Sequence, residues 1–96
     1  MKIKKYKTKK TDASDFFEIT KDNLEICVQR EDFKKGNDEP SVYFVDVFDI
    51  NIEDNDEAYL IELSGNFDEL YQAVNHLQNE LNIPKKITNQ IIKGGL

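Results

Sequence analysis

The chain has 96 residues, 39% of them hydrophobic and including six Phe and four Tyr: one domain's length, with apolar material for a single core. Nineteen acids against thirteen Lys and Arg leave a formal net charge of −6, which repels free nucleic acid and favours basic partners. The single cysteine excludes an internal disulfide and a thiolate metal cluster, and no apolar run approaches the ~18 residues of a membrane-spanning helix.

The charge is segregated. Lys2, Lys4, Lys5, Lys7, Lys9 and Lys10 precede every acid; residues 11–84 then hold all nineteen acids and four bases (Lys21, Arg30, Lys34 and Lys35), a formal −15. The chain thus divides into a basic N-terminal segment, residues 1–10, and a single acidic domain, residues 11–96. The basic segment reads as a flexible arm, with an edge strand blunted by lysines as the other reading. It lacks the apolar stretch of a signal peptide, and with the lone Cys27 this points to a cytoplasmic, reducing home. The Lys-, Asn- and Ile-rich, Ala-poor composition suits a bacterium or a phage-infected host cell.

Residues 16–20 (Phe-Phe-Glu-Ile-Thr) predict a short strand, and Lys21-Asp22-Asn23 a turn. In residues 24–30, Leu24, Ile26 and Val28 alternate with Glu25, Cys27 and Gln29, the cleanest strand pattern in the chain. Residues 31–41 carry the breakers of a polar loop. Residues 42–52 predict a long strand with apolar residues on both faces: Val42, Phe44, Asp46, Phe48, Ile50 and Ile52 on one, Tyr43, Val45 and Val47 on the other. Glu53-Asp54-Asn55-Asp56 predicts a hairpin turn and residues 57–63 the returning strand, setting Tyr59, Ile61 and Leu63 opposite Ile50, Phe48 and Asp46.

Asn66, with Glu69 three residues on, has the form of a capping box. Phe67, Leu70, Tyr71, Val74, Leu77 and Leu81 then recur at helical spacing. Pro84 opens a second short helix edged by Ile87, Ile91 and Ile92, and Gly94-Gly95 ends it. Strands first and helices last predict an α+β fold. It is an antiparallel β-meander of about four strands followed by one amphipathic helix and a short C-terminal helix packed on one face.

No nucleophile elbow, P-loop or HExxH is present, so the chain reads as non-enzymatic and without a cofactor. A calcium loop read from Asp49 fails where it matters: its sixth position is Asp54 instead of Gly, and its twelfth is Leu60 instead of Glu. His76 falls off the helical stripe, toward the surface, and Cys27 shares a strand face with Glu25 and Gln29. Strict parity sets Asp46 among Phe44, Phe48 and Ile50, where burial would raise its pKa. The lysine segment has one interleaved aromatic, Tyr6, too few for a stacking platform on nucleic acid.

Two candidate surfaces follow. Asp46, Asp49, Glu53, Asp54, Asp56 and Glu57 form the densest acidic stretch. Alternate strand positions lie about 6.6 Å apart, close to the ~6.8 Å that two phosphate steps of DNA advance. On a hairpin such acids imitate a phosphate row and suit a basic partner, a nucleic-acid-binding enzyme or nuclease. The second surface is an apolar patch of Tyr43, Val45, Val47 and Leu60, exposed if the helices cover the other face of residues 42–52.

A small, acidic, single-domain chain of this composition is similar in kind to phage-encoded nuclease inhibitors, anti-CRISPR proteins among them, and to toxin-immunity proteins. That likeness implies a binding protein that fills a cationic groove. The alternative is a small structural or assembly subunit that self-associates or docks through the apolar patch. Neither requires direct nucleic-acid or membrane contact.

Overall fold

The computed structural model describes residues 1–32 and 41–96. It is the α+β meander with one strand more than the sequence pattern suggests. Five strands, β1 (Lys2–Tyr6), β2 (Phe16–Lys21), β3 (Leu24–Asp32), β4 (Ser41–Asp49) and β5 (Gly65–Phe67), pair antiparallel in the order β1-β2-β3-β4-β5. Three helices, α1 (Asn55–Ala58), α2 (Leu70–Asn79) and α3 (Lys85–Lys93), complete the described chain. None is long and apolar enough to cross a membrane.

Two strands, β1 and β5, are new and the predicted strand 57–63 is lost; the basic segment supplies the first of the new ones. Residues 2–6 are no free arm: Ile3 pairs with Ile19 and Lys5 with Phe17, so β1 forms a sheet edge whose lysines blunt it against further pairing. Asp22, at φ 54, makes the β2–β3 turn, as the Lys-Asp-Asn sequence predicts. The predicted loop over residues 31–41 is shorter at both ends. Glu31 and Asp32 still pair with Val42 and Ser41, while residues 33–40 lie outside the described residues.

Strand β4 stops at Asp49, three residues short of prediction, because its carboxylate closes a local turn. It accepts from the Asn51 backbone N–H at 2.9 Å and from the Asn23 side-chain amide at 3.2 Å. The predicted returning strand 57–63 does not form. Asp54 caps α1 instead, its carboxylate accepting from the N–H groups of Asp56 (2.9 Å) and Glu57 (3.4 Å). Of the predicted hairpin pairs, a single bridge between Phe48 and Tyr59 takes their place, and Ile61 points to solvent, 75% exposed. The true partner of β4 on this side is β5, whose Asn66 and Phe67 the sequence pattern assigned to the start of a helix.

Helix α2 therefore starts at Leu70, later than Asn66 suggests, with the Gln72 side chain accepting from the Glu69 N–H at 3.1 Å. Asn82, at φ 54, turns the chain toward Pro84 and α3, which runs as the sequence predicts to Gly94.

The core lies on one side of the sheet. Phe17, Ile19, Ile26, Val28, Val45 and Val47 face Ala73, Leu77, Leu81, Ile83, Ile91 and Leu96, all buried. The register forces this choice. Ile26 pairs with Val47 and Val28 with Val45, and paired residues share a face, so the aliphatic side of β3 carries the odd side of β4 into the core. Thr88, fully buried in α3, is satisfied by the Gln78 amide at 3.0 Å and the Lys85 carbonyl at 3.1 Å. His76 is half-buried, not at the surface. Its Nε2 lies 2.7 Å from the Leu63 carbonyl and its ring sits 5.0 Å from that of Phe67, fastening α2 to the chain before β5.

Candidate functional site

The six acids of the 46–57 stretch separate by role. Asp49 and Asp54 are spent on the fold, closing the turn after β4 and capping α1. Asp46 lies mid-strand on the side of the sheet away from the helices and accepts from the Tyr59 hydroxyl at 3.2 Å. Glu53, Asp56 and Glu57 are exposed around α1 with no ion pair among the described residues, where the ion pairs are Lys5–Asp15, Lys10–Glu31 and Arg30–Asp32. Because a helical turn replaces the hairpin, these carboxylates do not stand at the strand spacing that would copy a phosphate row.

The apolar patch is not at the surface. Val45 and Val47 are 0% exposed in the core, with Tyr43 and Leu60 packed against it. Leu60 is held there by its N–H, which donates to the Val47 carbonyl at 2.8 Å. The helices cover the odd face of β4, so among the described residues the even face is the open one.

That open face carries chemistry the acidic stretch alone does not suggest. Cross-strand pairing sets Lys4, Glu18, Cys27 and Asp46 in one row across β1 to β4, and Thr20, Glu25 and Phe48 in the neighbouring row. On the other flank lie Tyr6, stacked on Phe16 at 5.0 Å between ring centroids, and Phe44 beside Gln29. Phe48 and Tyr59, 5.4 Å apart, form a second aromatic pair beyond Glu25. Acids thus occupy the middle of the face and aromatic rings its two sides. A shallow depression of about 320 Å³, lined by Lys10, Phe16, Cys27, Gln29, Glu31, Phe44 and Asp46, marks its centre. A second, lined by Glu25, Phe48, Asp49 and Asn55 among others, lies beside α1.

Crowding of like charges shows in the acid–base behaviour. Glu25 holds its proton above the usual glutamate range, chiefly through partial burial and then through the charge and hydrogen bond of Glu18. Burial, helped by Glu25, Glu18 and Asp46, pushes the Cys27 thiol up to about 11, so it stays protonated and weakly nucleophilic at neutral pH. Glu18, Glu25 and Cys27 bring ligand atoms within 4.8 Å of one another. Two hard carboxylates and a protonated thiol are a mixed set, poorly matched to hard cations and to soft ones alike.

Alternation in residues 24–30 already placed Glu25 and Cys27 together. Glu18, Phe16 and Phe44 are brought to them by the registers of β2 and β4, which no local pattern encodes. Comparison of the chain with protein-family models, curated proteins and solved structures finds no match.

Proposed function

We propose that this chain is a non-enzymatic acidic binding protein that occupies a cationic groove of a partner. A nucleic-acid-binding enzyme or nuclease is the fitting partner class. Phage-encoded nuclease inhibitors such as anti-CRISPR proteins, and toxin-immunity proteins, work in this way. The observation that carries the proposal is the set of exposed carboxylates around α1, Glu53, Asp56 and Glu57, without ion pairs among the described residues in a body whose net charge is strongly negative. Unpaired rim carboxylates speed and orient encounter with a basic surface, and their effect falls with salt. Shape-matched imitation of a DNA strand is not part of the proposal, since the spacing it needs is lost.

The test is calorimetric titration against a nucleic-acid-processing enzyme of the host at two salt concentrations. Binding should weaken with salt, and the triple variant Glu53→Gln, Asp56→Asn, Glu57→Gln should weaken it by about tenfold at low salt. Asp49 and Asp54 are left intact because their loss would disturb the turn and α1. Salt-insensitive binding that the triple variant leaves unchanged overturns the proposal. The alternative, a self-associating subunit docked through Tyr43, Val45, Val47 and Leu60, has lost its surface to the core.

A further inference from the structure

The open face of the sheet combines two features that select the same ligand charge. Carboxylates at Glu18, Glu25 and Asp46 attract a cation, and the faces of Tyr6, Phe16, Phe44 and Phe48 attract one through their quadrupoles. Among the described residues the core-forming helices pack on the opposite side, so these groups are half-buried by their own neighbours and remain within reach. We propose that this face, over Glu18, Cys27 and Asp46 and between Phe16 and Phe44, docks an arginine-bearing basic segment of the partner protein. The proposal rests on the acidic-binder reading and gives it a second contact surface, whose Glu25–Phe48 row borders a depression that reaches α1 at Asn55 and Ala58.

Charge and shape decide among occupants. Sheet platforms that bind nucleic acid join aromatics to basic side chains, whereas phosphates laid here would meet Glu18, Glu25 and Asp46. A second copy docked face to face would set the same carboxylates against each other. A basic protein segment meets neither obstacle. The chain supplies its own precedent: the Lys10 ammonium reaches to Glu31 at 2.9 Å from the rim of the central depression. Arginine fits better than lysine because its flat guanidinium can stack on a ring while its fork meets a carboxylate. Lys2 and Lys4 lie on the same face but at its β1 edge, Lys4 over the Tyr6 ring at 5.5 Å, so the attraction centres on β2 to β4.

Titration of the ¹⁵N-labelled chain with hexa-arginine and hexa-lysine peptides at low salt tests this. Amide shifts should centre on residues 16–18, 25–29 and 44–46, with arginine bound several-fold more tightly than lysine. The variant Glu18→Gln, Glu25→Gln, Asp46→Asn should weaken arginine binding by about tenfold, and because it relieves like-charge repulsion its urea midpoint should not fall. Phe44→Leu, which keeps an apolar side chain without the ring, should reduce the preference for arginine. Shifts confined to residues 53–57, with the open-face variant binding like the parent, overturn the docking proposal and leave the acidic binder standing. Absence of binding by either peptide at low salt overturns both.

Discussion

Val45 decides between two opposite pictures of β4. If the odd face were a docking patch, Val45→Asp would dissolve an assembly and leave the monomer folded. The structure places Val45 at 0% exposure, paired with Val28 on one side and Gly65 on the other. Val45→Ala removes two methyl groups; at about 0.8 kcal/mol each plus a small cavity term, the cost is about 2 kcal/mol. With a urea slope of roughly 1.5 kcal/mol/M for a domain of this size, the midpoint should drop by more than 1 M. Val45→Asp adds an unpaired carboxylate in the core, roughly 3–5 kcal/mol more, so the total of about 5–7 kcal/mol reaches the lower end of a small domain's stability of about 5–15 kcal/mol. Circular dichroism during urea titration at pH 7 reads both variants, and sedimentation reads the association state. A Val45→Asp chain that stays folded at the parent midpoint and changes only its association would refute the placement of this face in the core.

Gly94 sits against Phe17, where an added Cβ would collide with the ring, so Gly94→Ala should cost about 1–3 kcal/mol by overpacking, read as a lower thermal midpoint. Cys27, its thiol raised to about 11 by burial and then by its acidic neighbours, should react with iodoacetamide at pH 8 far more slowly than free cysteine. The open-face variant Glu18→Gln, Glu25→Gln, Asp46→Asn should narrow that gap without closing it, and equal rates in parent and free cysteine would contradict the assignment. Glu25, partly buried beside Glu18, keeps its proton to higher pH when folded than when unfolded. Its contribution to stability is therefore present below the ordinary glutamate range and lost as pH rises through the raised folded value. Glu25→Gln should match the parent in urea at pH 4 and exceed it at pH 7; a parent that gains on the variant with rising pH reverses the sign.

Much of the fold was legible locally. The alternation of Leu24, Ile26 and Val28, the turn at Asp22, the break at Pro84 and the stop at Gly94 all act within a few residues of themselves. What escaped depends on distant partners. The odd face of β4 is buried because Val45 and Val47 pair with Val28 and Ile26, and a strand with apolar residues on both faces cannot announce that choice. The segment 57–63 alternates like a strand, yet the Asp54 cap turns its start into α1 and leaves Ile61 in solvent. Three residues of β5 carry too little pattern to be seen, although Gly65 has a clear duty: a Cβ there would lie 2.8 Å from the Phe67 ring. The candidate site was half visible. Its acids stand out in composition, but which are caps and which are free is settled by hydrogen bonds, as at Asp49 and Asp54.

The strand order β1-β2-β3-β4-β5 has a consequence for how the chain assembles. Every strand pairs with its neighbour in sequence, and among the described residues all but the last pair close without an intervening helix; only β5 reaches β4 across a longer connection that carries α1, so the topology as a whole favours rapid folding. The helices that cover the aliphatic face come last. Until α2 and α3 arrive, a partly made sheet shows Ile26, Val28, Val45 and Val47 to the cell on one side. It shows carboxylates on the other and lysines along its free edge. The edge lysines thus guard the half-built sheet, disfavouring the pairing of one nascent copy with the next.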